Sequence, residues 1–245
     1  MDERIIKAAK ASGLKLNAAE LAKINELSLR ELTEEEVYAF KVAICDNEVD
    51  RDNEVFPLEA LKELAECFIG KTVISDHMWK SGNQVARIYA TEVISGIGTT
   101  KNGEQYNQLI AHCYMLRTES NKDLIAEIDA GIKKEVSVGC KMASAICNIC
   151  GADNRKTWCD HYPGKTYDGK YCFFLLKNAK DAYELSFVAV PAQPNAGVTK
   201  SYGAQKPKDQ EEEQKQVNTE TQDLTLRFKL LDSFIFTEKE KKENE

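Results

Sequence analysis

The 245-residue sequence lacks several features that would assign it to a common class of protein. Neither the Gly-x-Gly-x-x-Gly pattern nor the Walker A pattern occurs, which excludes the commonest nucleotide-binding loops. No apolar run approaches the ~20 residues of a membrane span, and the opening MDERIIKAAKASGLKL has no stretch typical of a secretory signal. The net charge of −7 leaves no basic excess for a general nucleic-acid binder. We therefore expect neither a nucleic-acid nor a membrane partner.

Histidine is also scarce, and this limits the choice of a catalytic base. The three histidines are His77, His112 and His161. His112 lies in the apolar run LIAHCYM and is typical of a packed strand histidine. His77 follows a short apolar run and lies in the polar context SDHMWKSGN, which is compatible with a surface histidine or with a side chain at a strand end that points into a cleft.

The patterning predicts an α+β protein, because 42% of the residues are hydrophobic and the chain mixes short β-branched runs with helical periodicity. Residues 1–36 read as a helical segment and residues 37–200 as the main domain, which contains a Cys- and Gly-rich insertion at 147–172. Residues 201–222 read as a disordered linker. Residues 223–245 form a short apolar patch with a charged tail.

Two capping signatures occur in the helical segment. Asn17 with Glu20 three residues later predicts a helix start with a capping box. Thr33 followed by Glu36 repeats the pattern and predicts a second start.

The insertion has the spacing of a metal site. Cys147 and Cys150 form a Cys-x-x-Cys knuckle, and Cys159 and His161 follow after a short gap, which predicts a structural Zn²⁺. The alternative is a set of reduced free thiols, because eight cysteines without an export signal indicate a reducing compartment. Cys172 is a possible alternative ligand.

Three further side chains could carry chemistry. Ser137 lies on a strand whose flanking valines face the core, with Gly139 on its own side. Glu184 lies on the strand DAYELSFVAV, where a carboxylate is costly to bury without a partner such as histidine. Cys140 competes with Ser137 as a nucleophile, although only Lys141 nearby would lower its pKa. Each of these residues could equally be an ordinary strand residue.

Three segments taken in order resemble a known family. They are DNEVDRDNEVFPLEALKELAECFIGKTVISDH, LIAEIDAGIKKEVSVGC and YELSFVAVPAQPNAGV. Together they look like the prohead (capsid maturation) serine proteases of tailed bacteriophages, which are related in fold to herpesvirus assemblin. The resemblance covers roughly residues 37–200.

The resemblance implies an assemblin-like fold: a compact, mostly antiparallel β-barrel flanked by helices, here with the zinc-knuckle insertion. It implies a catalytic His77, a nucleophile Ser137 and a third member Glu184, with the backbone near Gly139 as one candidate for the oxyanion hole.

The same resemblance implies an endopeptidase in the host cytoplasm, inside the assembling procapsid. Its substrates would be the scaffold and major capsid proteins, and it would also cleave itself. It could form a homodimer, as assemblin relatives do. We expect the autocleavage within residues 200–225, because only an exposed segment can thread into an active site.

Two other functions stay open at this point. The chain could be a non-catalytic, zinc-ordered scaffold or adaptor of the virion. Alternatively, it could be a thiol hydrolase built on Cys140 and His77.

Overall fold

The computed structural model describes residues 16–201. Residues 1–15 of the predicted helical segment therefore lie outside the described residues. So do nearly all of the predicted linker, the charged tail and most of the predicted autocleavage segment. Within the described part, the expectation of an α+β protein is confirmed: a curled mixed sheet forms a half-barrel that three helices flank.

The helices are α1 (Ala18–Leu27), α2 (Leu58–Phe68) and α3 (Lys122–Asp129). The strands are β1 (Val37–Asp46), β2 (Glu54–Val55), β3 (Thr72–Ser75), β4 (Ala86–Thr99), β5 (Gln105–Leu116), β6 (Val136–Cys147), β7 (Thr166–Tyr167), β8 (Lys170–Tyr171), β9 (Phe174–Phe187) and β10 (Gly197–Ser201).

The main sheet has the order β10-β1-β5-β4-β3-β9-β2, and β6 pairs with β9. Strands β6 and β9 are antiparallel along nearly their whole length. The short strands β2 and β3 pair with β9 in parallel, near its start and its end. The sheet is therefore mixed: most of its pairings are antiparallel, and the two parallel ones arise because the chain crosses over through α2 between β2 and β3. Strand β9 becomes the centre of this part of the molecule.

Local signals account for several elements. The Asn17 side chain accepts a hydrogen bond from the Glu20 N–H at 2.9 Å, and the reciprocal bond completes the predicted capping box. Pro57 precedes the first residue of α2, as its fixed φ favours. The prediction of a second helix start at Thr33 is wrong: residues 34–36 form a turn that leads directly into β1. There the Glu36 side chain accepts the Thr33 N–H and binds Arg30, so it closes a turn.

The core lies between α2 and the concave side of the sheet. The apolar face of α2 is buried, and it packs mainly against β9, with β4 and β5 beside it. The buried side chains include Ala60, Leu61, Leu64, Phe68, Val73, Val136, Leu185 and Phe187. At ~25 cal/mol per Å² of apolar surface removed from water, such side chains each contribute about 1.5–3 kcal/mol. This packing fixes the strands on which the polar candidates lie.

Among the helices at residues 16–201, none has the length and apolar character that crossing a membrane requires.

Candidate active site and metal centre

His77 lies in a sharp turn at the end of β3. Asp76 and His77 both have left-handed backbone, with φ of 53° and 52°, a conformation that non-glycine residues adopt rarely. The Asp76 N–H donates to the Phe187 carbonyl at 2.9 Å, and the His77 N–H donates to Ser186 Oγ at 2.8 Å. These two bonds hold the turn against the end of β9.

The imidazole of His77 forms a hydrogen bond with Glu184. Its Nδ1 lies 2.7 Å from Glu184 Oε1. The carboxylate side chain is only 3% exposed, whereas the imidazole side chain is 43% exposed. A carboxylate that accepts from Nδ1–H leaves Nε2 as the unprotonated nitrogen of a neutral imidazole. In this tautomer, the pair combines a proton acceptor on a partly exposed imidazole with a buried carboxylate that orients it.

Ser137 lies on the same face of the sheet as this pair. In the β6–β9 ladder, Ser137 is directly opposite Ser186, and Gly139 is opposite Glu184. Residues opposite each other point to one face with Cβ atoms about 4.5–5.5 Å apart, and the Ser186 hydroxyl also contacts His77. Ser137 is half-buried, and no hydrogen bond joins it to His77 among the described residues. Candidate nucleophile and base often approach fully only with substrate bound.

Gly139 provides the space that the Glu184 carboxylate occupies. A Cβ placed on Gly139 would lie 2.5 Å from Glu184 Oε1, closer than two such atoms can approach. The glycine therefore lets the carboxylate lean over β6 toward His77. The assignment of oxyanion donors to the backbone near Gly139 stays a prediction.

A cavity of about 200 Å³ opens beside Ser137. Its walls include Val136 and Val138, the core-facing neighbours of Ser137, and its rim carries Glu54 and Arg155. Neither residue of the histidine–carboxylate pair lines it, so the cavity adjoins the site rather than containing it.

Cys140 lies in the wall of this cavity. Burial raises the pKa of the Cys140 thiol to about 11, and the neighbouring Glu54 carboxylate adds to the effect. A thiol with such a pKa is almost wholly protonated at neutral pH, and the protonated thiol is a poor nucleophile. The environment of Cys140 therefore disfavours a thiol hydrolase.

The predicted metal ligands lie together at the other end of the β6–β9 pair. One donor atom each of Cys147, Cys150, Cys159 and His161 lies within 4.8 Å of the others. Gly151 follows the knuckle with φ of 75°, a turn that favours glycine. This cluster could bind a metal ion.

The donor chemistry of the cluster fits a metal. His161 Nδ1 is buried, and no hydrogen-bond partner for it exists among residues 16–201, while its ring packs edge-on against Tyr167 at 4.6 Å. A buried, unpaired imidazole nitrogen among thiols is the arrangement that metal coordination satisfies. Burial, followed by the charge of neighbouring Cys147, raises the pKa of Cys172 to about 11. Cys172 therefore adjoins the cluster, and its role as alternative ligand stays open.

His112 takes no part in either cluster. It lies on β5 with its side chain 12% exposed, and its Nε2 lies 2.9 Å from Glu92 Oε1. This agrees with the expectation of a packed strand histidine.

Sequence reasoning missed two features of the site. One is Ser186, whose hydroxyl accepts the His77 N–H. The other is the left-handed pair at Asp76 and His77, because neither residue is a glycine that would signal it. The alternation Glu184, Ser186 on one strand face is the signal that could have identified the serine.

Comparison of the chain with protein-family models, curated proteins and solved structures found no match.

Proposed function

We propose that this chain is a serine endopeptidase that uses His77, Ser137 and Glu184. The observation that carries the proposal is the 2.7 Å contact of the His77 imidazole with a buried carboxylate, on the sheet face that also bears Ser137. A catalytic histidine needs an orienting carboxylate, and Glu184 provides one that is almost fully buried.

The chemistry follows from this arrangement. The Nε2 of His77 takes the proton of the Ser137 hydroxyl as its oxygen attacks a peptide carbonyl, and then delivers that proton to the leaving amine. Glu184 holds the imidazole in the Nδ1–H tautomer and stabilises the imidazolium that forms between the two steps. A water molecule then hydrolyses the acyl-enzyme by the same proton transfers.

The substrates follow from the resemblance of residues 37–200 to prohead proteases. We assign the enzyme to the procapsid in the host cytoplasm, where it would process scaffold and major capsid protein and cleave its own chain. A homodimer is compatible with this role. The assemblin-like nature of the half-barrel belongs to the same proposal.

The metal completes the proposal as a structural ion. Cys147, Cys150, Cys159 and His161 would hold a Zn²⁺, which would tie the end of β6 to the insertion. Four protein ligands leave no open position, so the ion supplies stability and no step of the reaction.

A fluorophosphonate probe tests the nucleophile, because it labels only serines activated by a base. We expect the full-length protein to be labelled at Ser137, as mapped by peptide mass spectrometry. Ser137→Ala should abolish the label, and His77→Ala should reduce it at least 100-fold. Cys140→Ser should keep it. Labelling that survives in Ser137→Ala would contradict the proposal.

Autocleavage provides the second test. Intact-mass spectrometry of the purified full-length chain should show a cut within residues 200–225, and Ser137→Ala should remain uncut. An unchanged C-terminus in the native protein, under conditions in which it cuts scaffold protein, would contradict the autocleavage.

A non-catalytic virion scaffold or adaptor is the alternative, and the Cys/His cluster favours it because such a cluster orders a small binding module without catalysis. It predicts no fluorophosphonate label together with full binding of Zn²⁺. It also predicts that iodoacetamide leaves binding to capsid protein unchanged once the cluster is loaded.

A further inference from the structure

One oxygen of the Glu184 carboxylate takes part in none of the contacts described above. Glu184 Oε1 binds His77, but Oε2 is buried and has no hydrogen-bond partner among the described residues. An unpaired buried carboxylate oxygen costs free energy comparable to a lost hydrogen bond, and more when the group is charged. A donor is therefore expected next to it.

The register of the strands that flank β9 identifies the nearest candidate donor. Strand β6 lies on one edge of β9, and there Glu184 Oε1 leans over Gly139. On the other edge, the residue paired with Glu184 is Thr72 of β3. Paired residues of neighbouring strands point to the same face. The Thr72 side chain thus lies beside Glu184, on the side away from Gly139.

The Thr72 hydroxyl is itself a buried group in need of a partner. Its Oγ1 is the second orphaned atom of this face, with no hydrogen-bond partner within residues 16–201. Arg87, which is paired with Thr72 from β4, does not satisfy the carboxylate. Its guanidinium donates to the Gly70 carbonyl at 2.7 Å and to Gln84. A hydroxyl donor and a carboxylate acceptor, each buried and unpaired, are therefore adjacent.

We propose that Thr72 is a positioning residue, whose hydroxyl donates to Glu184 Oε2 through one bridging water molecule. The bond fixes the carboxylate plane so that Oε1 faces His77 Nδ1. This inference rests on the proposed function for its catalytic meaning, but the hydrogen bond itself does not depend on it.

The test compares Thr72→Val, which keeps the branched shape and removes the hydroxyl, with Thr72→Ser, which restores the hydroxyl. Thr91→Val is the matched control, because Thr91 Oγ1 donates to the Ala65 carbonyl at 2.7 Å on a different face. The first readout is the low-field proton resonance of His77 Nδ1–H in ¹⁵N-histidine-labelled protein, assigned by its loss in His77→Gln.

We expect this resonance in the native protein, in Thr72→Ser and in Thr91→Val, and its broadening or loss in Thr72→Val. The second readout is fluorophosphonate labelling, whose rate should fall about tenfold in Thr72→Val with unchanged affinity for the probe, and recover in Thr72→Ser. If Thr72→Val does not fold, Thr72→Ala takes its place.

The two proposals can fail separately. A native protein that is not labelled, but whose His77 resonance responds to Thr72 as expected, would overturn the endopeptidase and keep the positioning bond. A resonance that is absent from the native protein, or equal in native protein and Thr72→Val, would overturn the role of Thr72, whatever the labelling shows.

Discussion

At the scale of single residues, the candidate site depends on two residues whose backbone conformation is energetically unfavourable. Asp76 and His77 are consecutive left-handed residues without the freedom of glycine, and each costs about 1–2 kcal/mol relative to ordinary backbone. The bonds to Phe187 and Ser186 offset that cost. Strain that the surroundings enforce in this way is concentrated at functional sites.

The first prediction concerns Gly139. In Gly139→Ala, the new methyl group would lie 2.5 Å from the present position of Glu184 Oε1, so the carboxylate must move away from His77. We expect fluorophosphonate labelling to fall more than 100-fold, with a loss of about 1–3 kcal/mol in the free energy of unfolding from overpacking. The control is Gly82→Ala, because a Cβ on Gly82 meets nothing within 4 Å. Equal labelling of the two variants would contradict the role given to Gly139.

At the scale of elements, the β6–β9 pair joins the two candidate sites. Ser137 lies near the start of β6, and Cys147 is its last residue. The isolated bridge from Ile146 to Asp153 and the bond from the Cys147 N–H to the Ala152 carbonyl fold the knuckle back onto β6. A metal ion bound to the cluster would therefore stabilise the pairing of β6 with β9, and the pairing would in turn stabilise the metal site.

The second prediction follows from this coupling. Cys150→Ser should lose the metal, as measured by elemental mass spectrometry. At a metal concentration 100-fold above Kd, the lost binding lowers the free energy of unfolding by about 2.7 kcal/mol. A chelator should lower the melting temperature of the native protein but not of the variant. Cys67→Ser, on α2 and outside the cluster, should keep metal and stability; a loss there would contradict the assignment.

At this scale, the sequence could predict the elements that depend on residues close together in the chain. The cap of α1, helix α2 and the β4–β5 hairpin each depend on residues a few positions apart, and each is present. The parallel pairings of β2 and β3 with β9 depend on partners more than 100 residues apart. Strand β10 pairs with β1 but follows the stretch VAVPAQPNA, whose two prolines are typical of a loop.

The candidate site, too, could be predicted from the sequence only in part. The contact of His77 with Glu184 was predicted from a family pattern together with the cost of a lone buried carboxylate. Thr72 gave no signal and Ser186 gave only its alternation with Glu184, because a hydroxyl on a strand gains a role only when the strand register places it beside a charged group.

At the scale of the whole molecule, the partly buried His112 gives the free energy of unfolding a dependence on pH. Burial lowers the pKa of His112, although its hydrogen bond with Glu92 opposes the shift. The unfolded chain, with an ordinary histidine pKa of about 6.5, therefore takes up a proton before the folded protein does. The contribution of neutral His112 to the free energy of unfolding is therefore complete above the histidine pKa of the unfolded chain. It is lost as the pH falls through the lower pKa of His112 in the folded protein.

The third prediction is that His112→Gln flattens this dependence. Urea unfolding at pH 7.5, 6.5 and 5.5 should show the native free energy of unfolding decreasing faster toward acid than that of the variant. His77→Gln, measured in the same series, separates the contribution of the exposed imidazole. Parallel curves for native protein and His112→Gln would show that burial of His112 has no linkage to folding.

The position of β9 late in the chain determines when the candidate site can form during synthesis. Strand β9 pairs with β3, which leads into His77, and with β6, which carries Ser137. It lies after both strands in the chain and supplies Glu184. During translation, the contact of His77 with Glu184 cannot form until residues 174–187 have left the ribosome and paired with β3 and β6. If the chain is the endopeptidase proposed above, the order of synthesis alone would keep an unfinished copy from cutting the proteins around it.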